Sequence, residues 1–441
     1  MSVPNPSSTQ PKIYQKLVLR TLMLVIVLGA LFMGFQYYEG TKNDLGGMAK
    51  TDTVGQIAAI NYLDEGAQAV IFKPDGTVVK DSGYKPLSTD RDLTWRPDGN
   101  FLFFVSDRIE KTVQVFRWSP AQSSAEARTF GTRGRSNPSF PAEDLPDAND
   151  TALITSGGFV LEYNPKDRST RQILPPLGRE IVQGGSDEEK GSDSQFSGTY
   201  GKIGTSFKLA KWCKAKKWIA GIMKRDSGEV LVLQDMTPVV SKGADGKDAE
   251  SYKSPMVVAA GEHIEMAINP KDGTVVYAIQ GFAFPDPEKV PAQFIKGNKI
   301  LLPFHHGIFT VDPDKGQAPP IVFHKDDKVS FGGIAISPDG SSLVTTVGPF
   351  SDSSHHPQGL VTMPVQPNGA SAGAPLLKGE IYEPSWSPGG DKITFARRDP
   401  DGKRSIFTIN KDGSNERKVS DGKGNYGTPK FSPQVASAAT K

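Results

Sequence analysis

The sequence predicts an all-β fold, a β-propeller of four-stranded blades, preceded by one N-terminal transmembrane helix. Three observations carry that expectation. A short strand–turn–strand unit recurs along the chain. The C-terminus ends on one such strand with nothing after it, while the N-terminal strands lack an inner partner. An unbroken apolar run lies near the start.

The clearest unit is Glu383 to Ser420. Its first strand ends at Trp386, and Ser387-Pro388-Gly389-Gly390 turns the chain, with Pro presetting φ and Gly accepting a positive one. Lys392 to Ala396 alternates polar and apolar residues, as a half-buried strand does. Ser405 to Asn410 makes a third strand, Lys411-Asp412-Gly413-Ser414 a second turn, and Glu416 to Ser420 an outer fourth strand. Four short antiparallel strands in this space form one propeller blade. Copies lie at Leu93 to Val105, Glu265 to Ile279 and Ile334 to Val347, with weaker ones from Ser136 and Ser206.

The residue before each turn falls at Trp95, Phe140, Trp212, Ile268, Ile336, Trp386 and Phe431. Spacings run from about 45 residues, a bare blade, to about 70, a blade carrying loop insertions. Gln56 to Asn61, Ala69 to Pro74 and Thr77 to Asp81 read as strands without an inner one, which 428–433 would supply. Closure of that kind removes exposed sheet edges. The count is seven blades, with six or eight left open by segment 281–303.

These units, above all 384–420, 93–105 and 333–347, resemble the WD-like repeats of TolB-type β-propellers. The resemblance implies a propeller and an extracytoplasmic setting. The motif is a folding motif, so it says little about activity.

Ahead of the repeats, 1–16 reads as a polar cytoplasmic tail and 17–38 as the transmembrane anchor. Leu17 to Tyr38 as a helix would span about 33 Å, enough for a bilayer core. Lys12, Lys16 and Arg20 flank it on the N-terminal side, which places that side in the cytoplasm. No small-x-small site follows closely behind the apolar core, which argues against a cleaved signal peptide. Residues 39–53 form a glycine-bearing tether, 54–433 the propeller and 434–441 a tail.

The chain has 51 Lys and Arg against 49 Asp and Glu. Without the three basic residues at the anchor it lies within one charge of neutral, which gives no support to nucleic-acid binding. Forty-six glycines and 34 prolines suit a protein of many turns. The single Cys213, beside Trp212, reads as a packing residue. Two inserts, Gly184 to Gly201 and Ser241 to Ser251, read as polar loops. Between them Lys202, Lys208, Lys211, Lys214, Lys216 and Lys217 form either a dock for anionic groups or, as strand alternation favours, a solvated face.

Catalytic motifs are missing: there is no G-x-S-x-G, P-loop, dinucleotide fingerprint, H-E-x-x-H or C-x-x-C. The sequence therefore predicts a protein that is not an enzyme and needs no cofactor. Asp98, Asp272, Asp339 and Asp412 sit in Asp-Gly turns and cap them. All six histidines fall between 263 and 356. His263 and His324 lie near fourth-to-first connections, while His305, His306, His355 and His356 lie in second-to-third connections. These four are weak candidates for a metal site, since imidazole ligates transition metals, although adjacent histidines point apart.

Propeller loops carry recognition. The candidate partner-binding face therefore comprises Asp107, Arg108, Phe350, His355, His356, Arg397 and Arg398, within second-to-third connections that include the Phe- and Pro-rich stretches 281–293 and 348–358. The function expected is a membrane-tethered extracytoplasmic scaffold binding a protein or envelope polymer through one face. The alternatives are a propeller hydrolase or lyase with a metal at the histidine-rich face, and a subunit of an envelope sensor or assembly complex.

Overall fold

The computed structural model describes residues 55–433, except 74, 84–86, 177–198, 227, 243–247, 285–288, 298, 301–304, 326–327 and 367–372. The fold belongs to the unit Thr51–Lys441. The expected tail at 1–16, the anchor at 17–38, the tether at 39–53 and the tail at 434–441 lie outside the described residues. Among the described residues no helix is long and apolar enough to cross a membrane.

Among the described residues, strand pairing builds seven four-stranded antiparallel units. Blade two is Asp90–Trp95, Leu102–Ile109, Thr112–Trp118 and Glu126–Ala127. Blade three is Arg135–Ser139, Ala152–Ser156, Phe159–Tyr163 and Thr170–Leu174. Blade four takes Ser206–Cys213, Trp218–Arg225, Gly228–Asp235 and the first half of Met256–Ile268. That long strand turns the corner and its second half is the inner strand of blade five, followed by Val275–Ala283, His306–Asp312 and an outer edge of Gly316–Gln317 and Val322–His324. Blade six is Ser330–Ile336, Ser342–Gly348, Gly359–Pro364 and Ala374–Lys378. Blade seven is Ile381–Trp386, Lys392–Arg398, Arg404–Asn410 and Arg417–Lys418.

Blade one closes the ring. Its inner strand, Asn425–Phe431, pairs with Ile57–Leu63 through Ile57 opposite Phe431 and Tyr62 opposite Asn425, and Gly66–Phe72 and Val78–Asp81 complete the sheet. Among the described residues of segment 281–303 no further blade appears. Its described part is a short helical turn, Ala292–Phe294, and a small two-stranded ribbon, Ile295–Lys296 with Lys299–Ile300.

Hydrophobic packing confirms a ring rather than an open array. The core is divided into layers, one between each pair of neighbouring blades. Trp95, Phe104 and Trp118 of blade two meet Ala58 and Ile71 of blade one, and Phe103 meets Ile154 and Tyr163 of blade three. The last layer sets Ala396 and Ile406 of blade seven against Ile57, Val70 and Phe72 of blade one. A chain too long for one central core thus buries its apolar side chains in repeated thin layers. Indole N–H groups add to this stapling, Trp95 Nε1 donating to the Lys430 carbonyl at 3.2 Å and Trp386 Nε1 to that of Ala335 at 3.1 Å.

The turn aspartates do what their spacing predicts. Asp98 accepts from the Asn100 N–H at 3.0 Å, Asp339 from Ser341 at 3.0 Å and Asp412 from Ser414 at 2.9 Å. The lysine cluster is no patch. Lys214 pairs with Asp312, Lys216 with Asp147 and Lys217 with Asp314, so the first turn of blade four bridges to blades three and five. Cys213 is buried, its thiol held well above its ordinary pKa by that burial, as a packing role requires. The insert 241–251 differs from the polar loop expected, because its ends form a ribbon, Val239–Lys242 paired with Asp248–Ser251. Of the insert 184–201, only Thr199 to Gly201, which begin the helix Thr199–Ile203, lie within the described residues.

Candidate binding site at the mouth of the channel

The inner strands line a central channel, and the same irregularity recurs on most of them. Pairing with the second strand slips by a β-bulge at Asp92, Asn137, Gly333, Glu383 and Thr428, and all five adopt positive φ between 50° and 62°. Each lies three residues before its turn anchor. A bulge re-aims the side chain, here sideways along the channel wall to the next blade. The Asn137 N–H donates to Asp92 at 3.1 Å, and the Asn137 amide donates to the Lys208 carbonyl at 2.8 Å. The Gly333 N–H donates to Glu265 at 2.6 Å and the Thr428 N–H to Glu383 at 2.5 Å. Gly333 suits its place because a Cβ there would meet Pro384 Cδ at 2.8 Å.

Charge gathers where blades four and five meet. His263 lies between two carboxylates, Nδ1 3.4 Å from Glu229 and Nε2 3.5 Å from Glu265. Hydrogen bonds that it donates to these acids raise its pKa to about 9, against the opposing effect of burial, so it is an imidazolium at neutral pH. Burial alone would raise the Glu229 pKa, but bonds from His263, Lys208 at 2.6 Å and the Ile264 N–H at 2.8 Å hold it at about 2. Lys211 and Lys430 also occupy the channel wall, one residue before their anchors. Burial lowers both, Lys211 to about 8.

Beside this cluster a cleft of about 490 Å³ opens, lined among others by His263, Glu265, Thr346, His355, Tyr382 and Glu383. Its rim includes Ser353, Ser354 and Pro357 of the blade-six second-to-third connection. The cleft therefore lies on the face where second-to-third and fourth-to-first connections meet. Lys111, in such a turn, donates to the carbonyl of Leu87, in a fourth-to-first connection, at 2.5 Å. Leu87, Phe130 and Ile295 project from this face and are 60, 54 and 48 % exposed.

His355 is a framing residue of the cleft. Its Nδ1 is 2.6 Å from Ser330 Oγ and its Nε2 is 2.9 Å from Thr346 Oγ1. Ser330 donates its own proton to the Gly348 carbonyl, so it accepts from Nδ1–H. Burial lowers the His355 pKa to about 4, leaving a neutral ring with both nitrogens engaged. Ser330 is fully buried, so this serine–histidine pair is closed to a substrate.

The other candidates read from the sequence are placed as follows. Asp107 accepts from the Thr89 N–H at 2.7 Å. Arg108 is nearly buried over the Phe104 and Phe116 rings and pairs with the fully buried Asp90 at 2.6 Å. Arg397 stacks over Phe407 and pairs with Glu416, while Arg398 pairs with Glu380 at 2.7 Å. Phe350 is not the exposed aromatic that its polar neighbours suggest. It is only 7 % exposed and packs on His306 and His305, with ring centroids 4.8 and 6.4 Å away. His306 opens a strand and is buried, its Nδ1 accepting from the Gly281 N–H at 3.3 Å. His356 Nε2 lies 3.2 Å from the Ser351 carbonyl. Blades five and six thus bring His305, His306 and Phe350 together, while the arginine pairs stay in blades two and seven. Among the described residues no three His, Cys, Asp or Glu side chains gather as a metal-binding group.

Sequence reading missed His263 as a charge centre and Glu229, Glu265 and Glu383 as its surroundings. The signal was present: positions one and three before each anchor face the channel, and they hold Lys430, Thr428, Asp92, Lys211, Glu265 and Glu383.

No family model and no curated protein matches the sequence. Solved structures with a similar fold include TolB from Acinetobacter baumannii, 14 % identical over 88 % of this chain and 69 % of that one, TM-score 0.43. An oligogalacturonate lyase in complex with manganese is 12 % identical over 85 % of this chain and 86 % of that one, TM-score 0.47. A 6-phosphogluconolactonase-like protein from Bacteroides uniformis is 15 % identical over 83 % of this chain and 95 % of that one, TM-score 0.44.

Proposed function

We propose that this protein is a scaffold tethered to a membrane through 17–38, with an extracytoplasmic propeller that holds a protein or envelope-polymer partner at the channel mouth. The observation that supports it best is the cleft itself. It opens on the loop-bearing face, carries fixed charges of both signs, and shares that face with the exposed Leu87, Phe130 and Ile295. Exposed apolar side chains on the same face as a cleft that carries charge suit recognition. The candidate arginines contribute less than their sequence positions suggest, because each is held in an internal ion pair.

The test is capture from crosslinked membranes by the full-length chain carrying Leu87→Asp, Phe130→Asp and Ile295→Asp together. Loss of the captured partner at unchanged Tm supports this reading. Undiminished capture at unchanged Tm refutes it.

A further inference from the structure

We infer that the channel holds a small oxyanion between Lys211 of blade four and Lys430 of blade one, one layer below the cleft. The site is separate from the cleft and does not depend on what the mouth recognises.

The layer is set by the repeat. Each inner strand points the residue before its turn anchor into the channel, two positions beyond Glu265 and Glu383 and so about 7 Å deeper. Besides the two lysines, that level holds Thr94, Ser139, Ala267, Ala335 and Ser385, and all seven keep part of their surface open. Around the ring the polar groups adjoin one another. Thr94 of blade two and Ser139 of blade three stand between Lys430 and Lys211, and Ser385 of blade seven stands on the far side of Lys430. Blades five and six contribute only methyl groups, which leaves room in the channel opposite this arc. Among the described residues the hydroxyls of Thr94, Ser139 and Ser385 have no protein partner. The arc therefore offers ammonium and hydroxyl donors with nothing of the protein to receive them.

The charge at this level is uncompensated. Lys211 Nζ donates to the Met266 carbonyl at 3.2 Å, and among the described residues Lys430 Nζ makes no hydrogen bond and neither lysine forms an ion pair. The nearby carboxylates are engaged one layer up. Glu265 meets His263 and the Gly333 N–H, Glu383 accepts from the Thr428 N–H, and Asp92 from that of Asn137. Burial lowers the Lys430 pKa, and Glu383 and Glu265 oppose that from beyond ion-pair distance. Burial and then the Lys430 charge lower Lys211 to about 8, which still leaves it protonated at neutral pH. Two withdrawn cations without counter-charges are costly, and a bound anion removes that cost. The Lys430 backbone is held for the purpose by the Trp95 indole, which donates to its carbonyl.

The test titrates inorganic phosphate into the full-length chain by calorimetry in chloride-free buffer. Wild type is compared with Lys211→Met, Lys430→Met, the double variant, and Lys217→Met, a surface lysine paired with Asp314. One site per chain is expected in wild type and Lys217→Met, with affinity lower by about tenfold or more in each channel variant. Without phosphate the double variant should melt above wild type, and phosphate should raise the Tm of wild type alone. No saturable heat in the folded wild type, or equal affinity in wild type and the double variant, overturns the site. A double variant that melts below wild type in phosphate-free buffer also overturns it, because the fold itself would then compensate the two charges.

Discussion

His263 shows how a side chain absent from every motif becomes the centre of a site. Its pKa is raised to about 9 from an ordinary value near 6.5 by Glu229 and Glu265. A raised folded-state pKa means that the stabilisation is full below about 6.5 and is lost as pH rises through 9. His263→Gln should therefore lower stability by on the order of 1 kcal/mol near pH 6, discounting for partial exposure. The gap from wild type should close by about pH 9.5 in thermal melts across that range. Arg108→Met is a sharper case, because it strands Asp90, fully buried, without its cation. A loss of about 3 kcal/mol or more is expected in denaturant unfolding. His356→Ala, whose Nε2 meets only a carbonyl at 3.2 Å, should stay within about 0.5 kcal/mol of wild type.

Strands and turns were the most legible part of the sequence. Pro-Asp-Gly turns and two-residue alternation are local signals, and Asp339 and Asp412 cap their turns as spacing predicts. Side-chain exposure was less legible because it depends on the neighbouring blade. Phe350 sits among Ser, Asp and His, yet the rings of His305 and His306 cover it. Arg108 and Arg397 read as surface charges, and each lies over a phenylalanine ring against an acid. The bulges that aim Glu383 and Asp92 along the channel leave no local mark beyond their fixed distance from the anchor. Ring closure tests the strand assignment directly. Removing 428–441 takes away the partners of Ile57 and Ala58 and the acceptor for Trp95. It should cost on the order of 5 kcal/mol, a large share of a typical domain's stability. Removing only 435–441 should leave the Tm unchanged. A chain lacking 428–441 that melts with the intact protein would break the seven-blade pairing.

The molecule as a whole sorts its connections by face. First-to-second and third-to-fourth connections, among them the ribbon Val239–Lys242 with Asp248–Ser251, occupy one side, while second-to-third and fourth-to-first connections, the cleft and the exposed Leu87, Phe130 and Ile295 occupy the other. That division follows from antiparallel strands in a closed ring, so it was implicit in the sequence once four strands per blade were recognised. What the loops meet was not legible, since recognition depends on side chains converging from several blades. The most direct test maps contacts from both faces at once in the full-length chain in intact cells. A photocrosslinking residue is placed singly at Phe130 or Ser354 on the cleft face, and at Lys271 or Lys411 among the short turns. Crosslinks to one partner from the first pair and none from the second are predicted. Crosslinks to a shared partner from Lys271 and Lys411, with none from Phe130 and Ser354, would contradict recognition at the channel mouth.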